Sequence, residues 1–301
     1  MKISLILNRE AGTLRTLDAE KVGEQIAAIF REAGHDVTVH VAAGGDAIAA
    51  IKKAAKQSEA IVVGGGDGTI SAAAAIAAEA GVALGVLPLG TMNFFAHSLA
   101  IPPDMKAAAA ALAGGEVRTV DIASVNGRLF VHALALGLHP AMVAEREKLA
   151  YGSRIGKMIG SARAFLRVVR HSHRFDVSIE NADRKIERRT AGVVISNNPF
   201  GKGHMPYADR LDGGVLGVYV TTARGWVQLA RVTAAAALGA AEEHPLVAYL
   251  ETPAATIRFH RRVTVPTTLD GELVRLQGPL EVKIVAGGLK VLAPKASEAA
   301  A

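Results

Sequence analysis

Three short segments carry residue types whose spacing suits phosphate chemistry. The first, Ile61 to Ser71, reads IVVGGGDGTIS, a β-branched run that stops at three glycines and continues through Asp67, Gly68 and Thr69. Glycines directly after a buried strand let the backbone approach a ligand closely, and a following helix offers N–H groups that have no intrahelical acceptor. Gly64 to Thr69 is therefore either a phosphate cradle or, on the plainer reading, a sharp strand-to-helix turn in which Thr69 caps the helix. It is not a Walker loop, because no Gly-Lys-Ser/Thr follows, and it is not the dinucleotide fingerprint. The second segment, GVLPLGTMNFF from Gly85 to Phe95, repeats the order strand, Gly-Thr, helix. Two such turns at the carboxyl ends of parallel strands would face one nucleotide. The third, LDGEL, places Asp270 and Glu272 on either side of Gly271. These are two carboxylates suited to general-base work, or an Asp-Gly hairpin turn between VTVPTTL and ELVRLQG.

The elements that must hold these segments fall into two patterns. Up to about residue 121, strand-like runs (KISLILN, DVTVHV, AIVVGG, LGVLPLG) alternate with helical stretches from Ala19 to Ala33, from Asp46 to Lys56 and from about Ile70. Alternation of this kind predicts a parallel sheet covered by helices. From Thr119 onward the runs TVDIASVNG, RLFVHALAL, FDVSIEN, AGVVISNN, VLGVYVTT, ATIRFHR, VTVPTTLDG and LEVKIV follow closely, with a hairpin signal at Asn126-Gly127. They predict a mostly antiparallel half interrupted by helices near 156–170 and 226–238. The expected organisation is an α/β domain over residues 1–121, joined by a returning segment 289–301, and a β-rich domain over 122–288.

Half of the 301 residues are hydrophobic and 21% are charged, which fits packed domains and excludes intrinsic disorder. There is no cysteine, so neither a disulfide framework nor a thiolate zinc site is available, and a reducing compartment suits the chain. The amino-terminal apolar run is too short for a signal-peptide core, and the Ala-rich stretches break before about 18 apolar residues accumulate. A net charge of +6 calls for an anionic partner such as a nucleotide, a phospholipid surface or a nucleic acid.

GGDGT, LPLGTMN, VDIASVNGRLFV and LDGEL, in that order and spacing, resemble the diacylglycerol kinase catalytic-domain family, which includes bacterial lipid kinases and sphingosine kinases. The resemblance covers most of the chain. It implies a parallel-sheet α/β nucleotide-binding domain, a β-sandwich-like domain and an active site in the cleft between them. It further implies an ATP-dependent kinase that phosphorylates a hydroxyl of diacylglycerol or a related lipid. In that pattern Asn8, Gly12, Gly65, Gly66, Asp67, Gly68, Thr69, Thr91 and Asn93 would hold ATP with its Mg²⁺, and Asp270 and Glu272 would be the catalytic carboxylates. NAD kinases share GGDGT, so a soluble-substrate kinase is one alternative, and a nucleotide-binding regulator with little catalysis is another.

The sequence departs from the family pattern at three places. Asn-Pro-x-Ser-Gly becomes Asn8-Arg9-Glu10-Ala11-Gly12; Asp-Phe-Ala-Arg becomes Phe94-Phe95-Ala96-His97; and the Asp-Asp-Gly-Leu-Leu stretch that holds a structural Mg²⁺ becomes Asp212-Gly213-Gly214, leaving Asp212 as the remaining metal ligand. Among the histidines, only His204, after Gly201-Lys202-Gly203, falls in a loop that the resemblance brings to the substrate side. Between Arg154 and Arg174, basic residues interleave with apolar ones and no acidic residue occurs. This stretch is either a core-packed helix with a solvated basic face or an amphipathic helix on an anionic membrane. The expected setting is cytoplasmic with peripheral contact at the inner face of the membrane. A lipid substrate is the expected partner, a homodimer is allowed and no nucleic acid is expected.

Overall fold

The structure, a computed structural model, describes residues 1–147, 167–170, 174–259 and 264–295. Two compact units divide the chain, one formed by Met1–Ile122 with Ala286–Ala301 and the other by Ala123–Val285. Among the described residues, no helix is long and apolar enough to cross a membrane.

The first unit contains β1 (Lys2–Asn8), α1 (Ala19–Glu32), β2 (Asp36–Ala42), α2 (Gly44–Ala54), β3 (Ala60–Gly65), α3 (Asp67–Ala80), β4 (Ala83–Pro88), α4 (Phe94–Ser98) and α5 (Met105–Ala113). Its strands pair in the order β2-β1-β3-β4, all parallel. β3 and β4 are buried at every position, as strands covered on both faces by helices must be. α1 begins at Asp18, whose carboxylate accepts the Lys21 N–H at 3.1 Å, and it buries Val22, Ile26, Ala27 and Phe30 along one face. Gly23 lets this helix sit close to β2: a Cβ there would lie 2.8 Å from Val39 Cγ1.

The second unit is built from two sheets. One contains β8 (Phe175–Glu180), β9 (Lys185–Thr190), β13 (Ala254–Phe259) and the start of β16 (Leu280–Ala293), paired antiparallel in the order β16-β13-β8-β9, with β5 (Glu116–Val125) and β6 (Arg128–Phe130) attached. The other runs in the order β12 (Val247–Thr252), β11 (Leu216–Thr221), β10 (Gly192–Asn197), β7 (Ala133–Gly137), β14 (Thr264–Leu269), β15 (Glu272–Gln277), antiparallel throughout. Val125, Val177, Ile179, Ile257 and Val282 of the first sheet share one core with Leu134, Leu136, Ile195, Leu216 and Val218 of the second, which makes the unit a β-sandwich. α6 (Leu138–Glu147) and α7 (Trp226–Ala237) are helices of this unit among the described residues.

The differences from the sequence pattern have local causes. β9 and β12 are the outermost strands of their sheets, and KIERRT in β9 carries the charges that protect an edge instead of an apolar alternation. α6 is unheralded because Pro140 lies inside it, in the first turn, where a missing N–H removes no helical bond. RLFVHALAL splits into β6 and β7, while LEVKIV and GLKVLAP join as the single long strand β16. Of the basic stretch 154–174, residues Arg154, Lys157 and Arg163 lie outside the described residues; Arg167 pairs with Glu145 at 3.0 Å.

Phe30 is fully buried on α1. Phe30→Ala is expected to destabilise the protein by about 3–5 kcal/mol, read as a lower denaturant midpoint at unchanged slope.

Candidate functional site

The two Gly-Thr segments come together at the carboxyl ends of β3 and β4. β3 runs through Gly65 and α3 starts at Asp67, so the expected six-residue loop reduces to one connecting residue, Gly66. Asp67, Gly68 and Thr69 occupy the first turn of α3, and their N–H groups lie where a helix has no internal acceptors. Thr69 does not cap this helix; Gly66 is at the cap position, with no side-chain cap bond. The Thr69 hydroxyl instead accepts from Asn8 Nδ2 at 3.0 Å, which ties the end of β1 to the turn after β3.

Asp67 links the two turns. Its carboxylate accepts from Asn93 N at 3.1 Å and Phe94 N at 2.9 Å, the amides that open α4. Because the contact is to backbone, the Asp-to-Phe departure at position 94 leaves it intact. Asn93 takes the left-handed conformation and brackets Gly90, accepting from its N–H at 2.9 Å and donating to its carbonyl at 3.1 Å. The turns approach so closely that a Cβ on Gly90 would lie 2.7 Å from the Gly66 Cα. Only glycine fits there. Thr13 contributes an unforeseen strut, its N–H and hydroxyl both donating to the Leu89 carbonyl at 3.2 Å. Gly12, beside it, and Thr91 remain exposed, and Gly65 is buried, its α-carbon packed so that a Cβ would meet the Thr69 side chain at 2.6 Å.

The LDGEL segment is both things its sequence allowed. Asp270 and Gly271 form the two-residue turn between β14 and β15, with φ of +49° and +86° and Leu269 opposite Glu272. The Asp270 side chain, 5% exposed, accepts three backbone N–H groups: Val131 at 3.0 Å, His132 at 2.8 Å and Ala133 at 3.0 Å. This is why β6 and β7 are separate strands, since the amides between them turn to a carboxylate. Glu272, two residues on, is exposed. The two carboxylates are therefore unlike: one is buried and engaged, the other open.

Two histidines flank this turn, and their spacing in sequence gave no sign of it. His139, at the start of α6, places Nδ1 2.9 Å from Thr268 Oγ1. His132 is half-buried, its ring 5.4 Å from that of Phe200. Burial, followed by the neighbouring His139, pushes the His132 pKa down to about 3, and desolvation also lowers that of His139.

The first unit is similar to a known family. Residues 2–125 match the family described as diacylglycerol kinase catalytic domain. A Staphylococcus epidermidis protein named diacylglycerol kinase is 25% identical over 191 residues, covering 63% of this chain and 59% of that protein. The chain thus matches well under two thirds of the length of that curated relative. Over 98% of this chain and 97% of the other, the fold is that of a Bacillus anthracis crystal structure titled "putative diacylglycerol kinase", with a TM-score of 0.76 at 22% identity. A second Bacillus anthracis structure, described as a diacylglycerol kinase, superposes with a TM-score of 0.74 at 19% identity.

The remaining expected site residues have partners close to them in sequence. Asp212 is exposed and pairs with Arg210 at 3.2 Å. Among the described residues, no group of three or more His, Asp or Glu side chains is placed to hold a metal ion. His204 stacks on Tyr207 at 3.9 Å between ring centroids, and its Nε2 lies 2.9 Å from Asp209 Oδ1. These side-chain partners lie within its own loop.

His132 gives the site a pH signature. Its folded pKa lies below the unfolded value of 6.5, so only the unfolded chain binds this proton between about pH 3 and 6.5. Stability therefore falls as pH drops through that window, with a slope of about 1.4 kcal/mol per pH unit from this group. His132→Asn is expected to remove about that slope between pH 6.5 and 5 in urea titrations, and an unchanged slope would count against it.

Proposed function

We propose that the protein is an ATP-dependent lipid kinase that transfers the γ-phosphate to a hydroxyl of diacylglycerol or a related lipid. The observation that carries this reading is the pair of glycine turns held together by Asp67, whose bare backbone at Gly66 and Gly90 comes into contact beside the first-turn amides of α3. Such a cradle suits phosphate oxygens, which helix-start N–H groups and glycine backbone bind without a side chain. Thr69 adds a hydroxyl: because its oxygen already accepts from Asn8, its proton is free to be donated to a phosphate. Asn93 and Asp67 act in this reading by shaping the cradle, while Thr91, Gly12, Gly65 and Gly68 line or permit it.

Phosphoryl transfer asks the protein for positioning and charge neutralisation more than for covalent participation. Mg²⁺ would enter with the nucleotide, supplying charge neutralisation on the phosphates. Exposure favours Glu272 over Asp270 as the group that accepts the lipid hydroxyl proton, while the hydroxyl oxygen bonds to the γ-phosphorus and the bridging bond to ADP breaks. Asp270 is then the positioning residue, and its three amide bonds fix the turn that presents Glu272. The names of the similar proteins support a lipid acceptor over the NAD-kinase type, which shares only the GGDGT portion of the pattern, and over a regulator without catalysis. Peripheral contact with a membrane from the cytoplasmic side follows from a lipid acceptor.

Glu272→Gln is expected to lower kcat for phosphorylation of diacylglycerol by about 10²- to 10⁴-fold with the affinity for ATP unchanged. Asp270→Asn exchanges an acceptor for an amide N–H beside three donors and is expected to cost about 1–3 kcal/mol of stability, read as a lower melting temperature. Full turnover by Glu272→Gln would assign the proton to another group. Gly90→Ala, which pushes Gly66 away, is expected to weaken ATP binding at least tenfold in calorimetry, and ATP affinity equal to wild type would remove the cradle from the reading.

A further inference from the structure

α7 presents an unusual outer face. Its inner side packs through Leu229, 3% exposed, and Val232 against Val169, Ala191, Ala223 and Leu246. Its outer side lacks the charged mixture expected of a solvated helix. Val227 is 44% exposed and Leu238, just past the helix, is 70% exposed; about three turns apart, they share a stripe with Arg231 and Ala234. At the leading end Trp226 is 46% exposed, with the Arg170 guanidinium carbon 5.1 Å above its ring. Arg224 is also exposed, and no acidic residue occurs between Gly213 and Ala241. The nearest in sequence, Glu242 and Glu243, pair with Lys202 at 3.8 and 2.9 Å.

We propose that the Trp226–Leu238 face docks on the surface of an anionic bilayer. The assignment rests on the lipid-kinase reading for the choice of a bilayer as occupant. The chemistry of the face matches an interface: a tryptophan, which is apolar in body and polar at the indole N–H, lies at the edge of an apolar stripe, with arginines positioned to meet lipid phosphates. A second copy of the chain is the poorer occupant. Two-fold pairing of this face with itself would set Arg224 and Arg231 of each copy against those of the other, with no acidic residue of the face to offset them.

Trp226 is the only tryptophan of the chain, so its fluorescence reports on this face alone. With vesicles of phosphatidylglycerol and phosphatidylcholine, lacking diacylglycerol and ATP, its emission is expected to move to shorter wavelength and to be quenched by brominated acyl chains. The shift is expected to weaken at high salt and to be absent with pure phosphatidylcholine. Val227→Ser and Leu238→Ser, both at exposed positions, are expected to weaken vesicle binding together by at least tenfold, while turnover of a monomeric short-chain diacylglycerol stays unchanged. Sedimentation with vesicles without any change in Trp226 emission would overturn the proposal, since another surface would then carry the contact. A blue shift that appears on raising protein concentration without lipid, accompanied by dimer formation, would overturn it in favour of a second copy. Vesicle docking through Trp226 with no phosphorylation of short-chain diacylglycerol would sustain the docking face and sink the kinase reading instead.

Discussion

An amide N–H that leaves a strand or a helix must find an acceptor, and the functional turns of this protein depend on two aspartates that supply one. Asp67 collects the two amides that open α4, and Asp270 collects the three amides that lie between β6 and β7. A buried N–H without a partner costs about 1–3 kcal/mol, so each carboxylate stabilises a chain path that regular pairing could not. The geometry of each turn follows from these bonds. Gly66 and Gly90 touch because Asp67 reaches from one turn to the helix start beyond the other; Glu272 is presented outward because Asp270 is held inward.

This use of carboxylates changes how the acidic residues of the motifs are weighed. In a bare sequence, Asp67, Asp270 and Glu272 look like three equivalent candidates for a base or a metal ligand. In the structure both aspartates accept backbone N–H groups, and groups of other kinds stand beside them: the first-turn amides of α3, the Thr69 hydroxyl and the exposed carboxylate of Glu272. The proposed kinase reaction would then rely on shape and fixed dipoles, which suits a transition state that carries its charge on the phosphoryl oxygens.

The fold was largely legible because its strongest signals are periodic. β1, β3 and β4 are continuous apolar runs, α1 repeats apolar residues along one face, and Asn126-Gly127 closes the hairpin its dipeptide announces, with φ of +47° and +81°. What escaped was β9, which is charged, and α6, behind Pro140, together with the short edge strand β12. At the site, the glycines and aspartates were legible as motifs, but their partners were not. The Asp270 bonds join residues 137 to 139 positions apart, and His139 meets Thr268 across 129. No local pattern encodes such separations; they exist only once β7 lies beside β14. Asp212 shows the converse, a residue singled out by alignment to a pattern whose second acid had become Gly213, and whose carboxylate the fold gives to Arg210.

α7 tests the same reasoning from the other side. Burial explains an apolar residue when it has neighbours, as Leu229 has; it does not explain Val227 and Leu238, which are 44% and 70% exposed. Scattered exposed apolar side chains are ordinary on a protein surface, but here they share one helix with an exposed tryptophan and arginines, and no acidic residue dilutes them. A solvated helix gains from alternating charges, and this one forgoes that gain along its whole outer face. The sequence cost is coherent only if that face is covered when the protein works, and a surface that offers phosphates to arginine and an acyl boundary to tryptophan covers both parts at once.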